Sequence, residues 1–169
     1  FNVALSIFYV FLIIPNTIYQ KIYLTKFHDW SNHNTLKLKK NFIYGSLTMF
    51  LMGCICAIFV NLFSEKLIIS FFTDKFYSSI DLLNMISIAL PLVFCNYVAG
   101  TILLTKKLIL KKISNLGVVV ILTPILSYYL FLQYNLIGIS FSIVISSFIY
   151  LVLNLLTLKK NNFRCFLRS

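Results

Sequence analysis

Acidic residues are scarce in this sequence. Four Asp and Glu occur in 169 residues against fifteen Lys and Arg, and charged residues of both signs make up only 11%. Soluble domains carry about 25% charged residues. That shortfall, beside a hydrophobic content of 60%, excludes an ordinary soluble domain, a disordered chain and a coiled coil. The four acids are Asp29, Glu65, Asp74 and Asp81, and no two are placed as a general acid–base pair. A glycine-rich phosphate loop and a nucleophile elbow are both missing. His28 and His33 stand five residues apart, which is not the i, i+4 spacing of a helical metal pair. Cys54, Cys56, Cys95 and Cys165 form no CxxC and no Cys/His cluster. The first three lie in apolar blocks, where a free thiol acts as a small hydrophobe. No metal, no cofactor and no enzymatic activity are expected. Nor does the sequence open with a basic leader and a small-residue cleavage site. With Phe at position 1, the chain is expected to be a fragment of a longer protein or a product cut upstream.

What the sequence does have is long uncharged stretches. Residues 1–20, 41–64, 82–105 and 113–158 contain no Asp, Glu, Lys or Arg. Crossing about 30 Å of hydrocarbon takes about 20 apolar residues in a helix. The last stretch would run ~69 Å as one helix, over twice that thickness. It must fold back, and Gln133, Tyr134, Asn135 and Gly138 are its central cluster of polar and turn-forming residues. Lipid offers the backbone no hydrogen bonds, so each crossing must be a helix or part of a closed barrel. Solid apolar runs such as 117–122 do not alternate as barrel strands do. The fold class expected is all-α: one polytopic transmembrane bundle over residues 1–169, with five spans near 1–20, 42–63, 80–104, 114–133 and 137–158. The apolar run 67–72 is too short to cross. With Phe76 and Tyr77 it is read as an interfacial segment.

The basic residues alternate with these spans. Lys21, Lys26, Lys37, Lys39 and Lys40 follow the first. Lys66 and Lys75 follow the second, balanced by Glu65 and Asp74. Lys106, Lys107, Lys111 and Lys112 follow the third, none follows the fourth, and Lys159, Lys160, Arg164 and Arg168 follow the fifth. Basic loops face the cytoplasm. Thirteen of the fifteen Lys and Arg then fall on one side, the C-terminus lies inside, and the protein is a multi-pass protein of the inner (plasma) membrane. The net charge of +11 is thereby a topology signal and an attraction to anionic headgroups. The bilayer is the expected partner and nucleic acid is not. Within the inner-face segment 21–40, Tyr23, Phe27 and Trp30 recur at helical spacing, which predicts an amphipathic helix on the inner leaflet.

A transporter needs polar groups and breaks inside its helices. Pro15, Pro91 and Pro124 each fall within a span and predict kinks. Asp81, Asn84 and Asn96 share an arc of about 120° on the third span and are candidate substrate contacts. The plainer reading puts Asp81 in the headgroup layer and the two amides in hydrogen bonds between helices. Lys21, Lys106 and Lys107, with Lys111 and Lys112, could hold a phosphate at the inner ends of helices, or serve only as topology determinants. Gly53 with Ala57, and Gly138 with Ser142 and Ser146, recur every four residues and predict close helix packing.

Three stretches resemble one family. LIISFFTDKFYSSIDLLNMISIALPLVFCNYVAGTILLTKKL (67–108), YNLIGISFSIVISS (134–147) and IIPNTIYQ (13–20) resemble the C-terminal lobe of polysaccharide flippases. These are O-antigen and lipid-linked oligosaccharide exporters of the multidrug/oligosaccharidyl-lipid/polysaccharide superfamily. The shared features are a Phe-centred outer segment before a helix ending in Lys-Lys, a final turn with Gly before small and hydroxyl residues, and a proline-bearing helix before a basic inner loop. Thr73, Asp74 and Lys75 stand where the family often has a glycine. The resemblance implies a two-lobed carrier of about twelve spans around a central cavity, of which these five would be the last. It implies alternating access for an undecaprenyl-pyrophosphate-linked oligosaccharide, and partnership with N-terminal spans of the same protein. The alternatives are a small-molecule or drug exporter of that superfamily, and a membrane enzyme of polysaccharide biosynthesis, a polymerase or acyltransferase.

Overall fold

A computed structural model describes residues 2–33, 35–72, 76–77, 79–105 and 108–160. Among the described residues the regular structure is entirely helical, which satisfies the backbone within each segment. The helices are α1 (Asn2–Asn16), α2 (Leu24–His33), α3 (Thr35–Phe71), α4 (Ser79–Ser87), α5 (Leu90–Thr105) and α6 (Ile109–Lys160). A π-helical stretch, Thr17–Tyr23, joins α1 to α2. Pro15 is buried in the last turn of α1, immediately before that stretch. A widened turn is a common accommodation where the regular ladder is disturbed.

The N-terminal helix is longer than the expected span of 1–20. It runs through Lys21 and Lys26 to His33, and α3 has already begun at Thr35, so the described residues of 21–40 are helical. The aromatic spacing explains the continuity. Tyr19 and Tyr23 stack with centroids 5.1 Å apart, Tyr23 and Phe27 follow at 5.6 Å, and Phe27 and Trp30 at 5.7 Å. The helix predicted from Tyr23, Phe27 and Trp30 is present, but its aromatic face turns inward. Phe27 is fully buried, and the Tyr19 hydroxyl fills the space a side chain at Gly45 of α3 would need. The α2 segment packs on α3 and α5.

The interfacial segment expected at 67–77 is also revised. Residues up to Phe71 continue α3 without interruption. Glu65 and Lys66 sit on its exposed side, whereas Ser64 and Ile68 stay buried on the other. The charges therefore do not force the helix to end. At 37 residues it is about 55 Å long.

Helices α4 and α5 form one bent unit, with an angle of 43° at the break. Pro91 lacks an N–H, so the Ser87 carbonyl receives no helical bond from it. The chain tightens instead: Ile88 N–H donates to the Met85 carbonyl at 3.3 Å and Ala89 N–H to the Ile86 carbonyl at 2.9 Å. Pro124, by contrast, lies on an exposed side of α6 with no break in its arm.

The chain reverses within α6. Asn135 has φ 53° and ψ −138°, and residues equidistant from the Tyr134–Asn135 junction meet across it. Ser127 and Ser142 share a hydrogen bond of 2.5 Å, Thr123 Oγ1 donates to Ser146 Oγ at 2.9 Å, and Asn115 Nδ2 to Asn154 Oδ1 at 3.1 Å. The two arms, 109–134 and 136–160, are antiparallel. At Gly138 a side chain would run into the Leu130 carbonyl, so glycine sets how closely they approach.

The core centres on α5, which packs against α1, the π-helical stretch, α2, α3 and α6. Phe94, Val98, Ile102 and Leu103 are fully buried there, as are Leu83 and Ile86 of α4. Outside, the bundle is apolar: Leu62, Leu110, Ile121 and Ile125 are 66–78% exposed. Exposed apolar surface of this extent belongs in a membrane. Three helical runs, Asn2–Trp30, Lys40–Phe71 and Ile109–Lys160, are long and apolar enough to cross one, and the bent α4–α5 unit makes up to four. These are the features of a membrane protein.

Candidate functional site

Inside this apolar bundle, polar side chains gather where α5 meets the two arms of α6. Asn96 is at the centre. Its Nδ2 donates to the Ser147 carbonyl at 3.0 Å, and its Oδ1 accepts from Asn154 Nδ2 at 3.3 Å. Asn154 in turn accepts from Asn115, which also donates to Thr157 Oγ1 at 3.0 Å. One amide network thus ties three helical segments together. In lipid each such bond contributes about 0.6 kcal/mol, since the separated helices also find partners.

Beside the network lies a cavity of about 520 Å³ between α5 and both arms. Asn96, Tyr97, Lys112, Thr123, Ser146, Ser147 and Tyr150 give it polar groups, with Val93, Leu116, Val119 and Ile143 between them. Lys112 and Thr123 are three turns apart on the first arm, so the cavity extends about 16 Å along the helices. A second cavity, about 480 Å³, lies between α1 and the far end of α3. It is walled by Ile7, Val10, Phe11, Leu67, Phe71 and Phe72, with Ser6 at its edge, and offers a ligand little but hydrocarbon.

The residues singled out from the sequence do not come together. Asn96 lines the first cavity. Asp81 and Asn84 do not; they belong to α4, before the break. Asp81 is exposed. Asn84 is half-buried, and its Oδ1 has no hydrogen-bond partner among the described residues. Their shared arc with Asn96 assumed one uninterrupted helix, and the 43° bend removes that assumption. A separate contact secures this region: Asn61 Nδ2 donates to Ser87 Oγ at 2.7 Å. Lys21 is exposed on the π-helical stretch, away from the cavity. Lys106 and Lys107 fall outside the described residues. Of the described inner-end lysines, Lys112 lines the cavity.

Sequence reasoning missed Tyr97, Asn115, Thr123, Ser147, Tyr150 and Asn154. A signal existed for some of them. Once the turn is placed at 134–135, the hydroxyl and amide residues at 115 and 154, 123 and 146, and 127 and 142 fall opposite one another. Among the described residues no group of three His, Cys, Asp or Glu could hold a metal ion. Cys54, Cys56 and Cys95 are free thiols. Among the described residues the cavity brings together a lysine, several hydroxyls and amides, and aliphatic walls. No family model matches the sequence, and no curated protein or solved structure matches it.

Proposed function

We propose that the chain is part of the C-terminal lobe of a polysaccharide flippase, moving an undecaprenyl-pyrophosphate-linked oligosaccharide such as an O-antigen unit across the plasma membrane. The observation that carries this reading is a cavity of about 520 Å³ between α5 and both arms of α6, in which a lysine, amides and hydroxyls stand among aliphatic side chains, in a bundle with an apolar exterior. Polar groups are costly in a bilayer and persist where they bind or conduct something. The bent α4–α5 unit adds support, because broken helices beside a polar cavity are how membrane carriers build midplane sites. In this reading the chain crosses the membrane five times: α1 with its continuation, α3, the α4–α5 unit, and each arm of α6. The lysine-rich ends face the cytoplasm. Substrate enters from that side and leaves at the outer face by alternating access, its lipid tail remaining in the bilayer.

Deletion of the native gene tests it. The expected result is loss of surface polysaccharide with the undecaprenyl-linked unit accumulating in the inner leaflet, restored by the intact gene. Normal surface polysaccharide in the deletion strain would overturn the reading. Altered drug susceptibility alone would favour a small-molecule exporter.

A further inference from the structure

We propose that Lys112, seated against Gly100, binds a phosphate group in the cavity between α5 and the arms of α6. Four observations meet there. First, Lys112 is turned inward and lines the cavity, whereas its neighbour Lys111 is exposed. Both come from the same basic cluster, so the charge count that orients the chain does not account for the difference. Second, the tip of Lys112 packs on glycine. A Cβ on Gly100 would lie 3.2 Å from both Cε and Nζ of Lys112, close enough that the ammonium would have to shift by a few tenths of an ångström. Third, Lys112 has no ion-pair partner among the described residues, and no carboxylate lines the cavity. A half-buried ammonium without a counter-charge is unfavourable, and an anion offsets that. Fourth, Tyr97, one turn before Gly100 on α5, lines the same cavity, and a hydroxyl donor complements the oxygens that a point charge does not reach.

The ligand is a phosphate-bearing group, either the headgroup of an amphiphile or a free phosphate. The cavity is closed to neither, since aliphatic side chains alternate with the polar ones along its ~16 Å length. Binding at Lys112 is independent of the flippase reading; only the step after binding, carriage across the membrane, rests on it.

The experiment uses the whole chain purified in an uncharged sugar detergent. Thermal midpoints are followed by the fluorescence of its single tryptophan, Trp30. Inorganic pyrophosphate, phosphatidylglycerol and diacylglycerol are titrated separately. Stabilisation by phosphatidylglycerol but not by diacylglycerol identifies a lipid phosphate; stabilisation by pyrophosphate alone identifies a free one. In either case Lys112→Gln is expected to weaken apparent binding by about 10- to 100-fold, the scale of a lost hydrogen bond to a charged group. Gly100→Ala, which keeps every charge and crowds the ammonium only slightly, is expected to weaken it less than Lys112→Gln. Lys111→Gln is expected to leave it unchanged. The proposal is overturned if neither phosphate probe binds, or if Lys111→Gln weakens binding as much as Lys112→Gln, since that is general attraction to a basic surface. Phosphate binding lost in Lys112→Gln, together with normal surface polysaccharide in the deletion strain, would retain this site and reject the flippase reading.

Discussion

Gly53 of α3 rests directly on the backbone of Pro91 in α5. A Cβ at position 53 would lie 2.5 Å from Pro91 Cα and 2.9 Å from its nitrogen. Neither atom is on a flexible side chain, so contact could be relieved only by moving one helix away from the other. The same proline deprives the Ser87 carbonyl of its helical bond and bends the α4–α5 unit by 43°. Close approach and bend therefore coincide at one point of the bundle. Gly53→Ala is expected to destabilise the fold by about 1–3 kcal/mol, as overpacking does, and Gly53→Val by more. Thermal unfolding of the purified chain in detergent measures it. A midpoint unchanged in Gly53→Ala would mean that the helices are not in backbone contact.

The hairpin has its own test. Asn135 holds φ 53° and ψ −138°, a region that suits glycine and strains other residues by about 1–3 kcal/mol. Asn135→Gly is expected to leave the midpoint the same or raise it, and Asn135→Val to lower it.

Fold-back itself is read by cross-linking. With the native cysteines replaced by serine, Ser127→Cys and Ser142→Cys are expected to join under mild oxidation, because the two hydroxyls are 2.5 Å apart. In a continuous helix these residues would be about 22 Å apart along the axis and could not join.

This reversal was legible in the sequence because length forbids the alternative. An uncharged stretch of 46 residues, 113–158, cannot cross a bilayer once, and it holds one central cluster of turn formers. The end of the first span was not legible. Lys21 and Lys26 read as the point where the first span stops, yet a helix leaving hydrocarbon keeps its hydrogen bonds while long side chains carry their charge to water, so charge marks the depth of a helix and not its end. The break at Ile88–Ala89 was only half legible. Pro91 located it within a turn, but the resulting angle decides which polar residues share a face. That angle separated Asp81 and Asn84 from Asn96. Lys111 and Lys112 count alike as charges, and only packing against Gly100 shows which one turns inward.

The amide network predicts a measurable coupling. Asn96 and Asn154 are 58 positions apart in sequence and joined by one bond of 3.3 Å. Asn96→Ala also removes the bond to the Ser147 carbonyl, and Asn154→Ala the bond from Asn115, so each is expected to destabilise by more than the shared bond alone. The double-mutant cycle is expected to give a coupling of about 0.6 kcal/mol and no more than ~1.7 kcal/mol, the range for hydrogen bonds between helices in lipid. A coupling near zero would show that the two amides do not meet.

Orientation is the last prediction, and it rests on the lysines alone. If 21–40, 106–112 and the basic tail share one side of the membrane, that side is the cytoplasm, and Cys165 lies with Lys159, Lys160, Arg164 and Arg168. In the native protein with Cys54, Cys56 and Cys95 replaced by serine, a membrane-impermeant thiol reagent is expected to label Cys165 only after the cells are opened. Labelling of intact cells would reverse the assignment, placing Lys112 and its cavity end toward the outside. Transport would then have to begin at the outer face, opposite to export. The labelling result therefore decides the direction in which a phosphate bound at Lys112 could be carried.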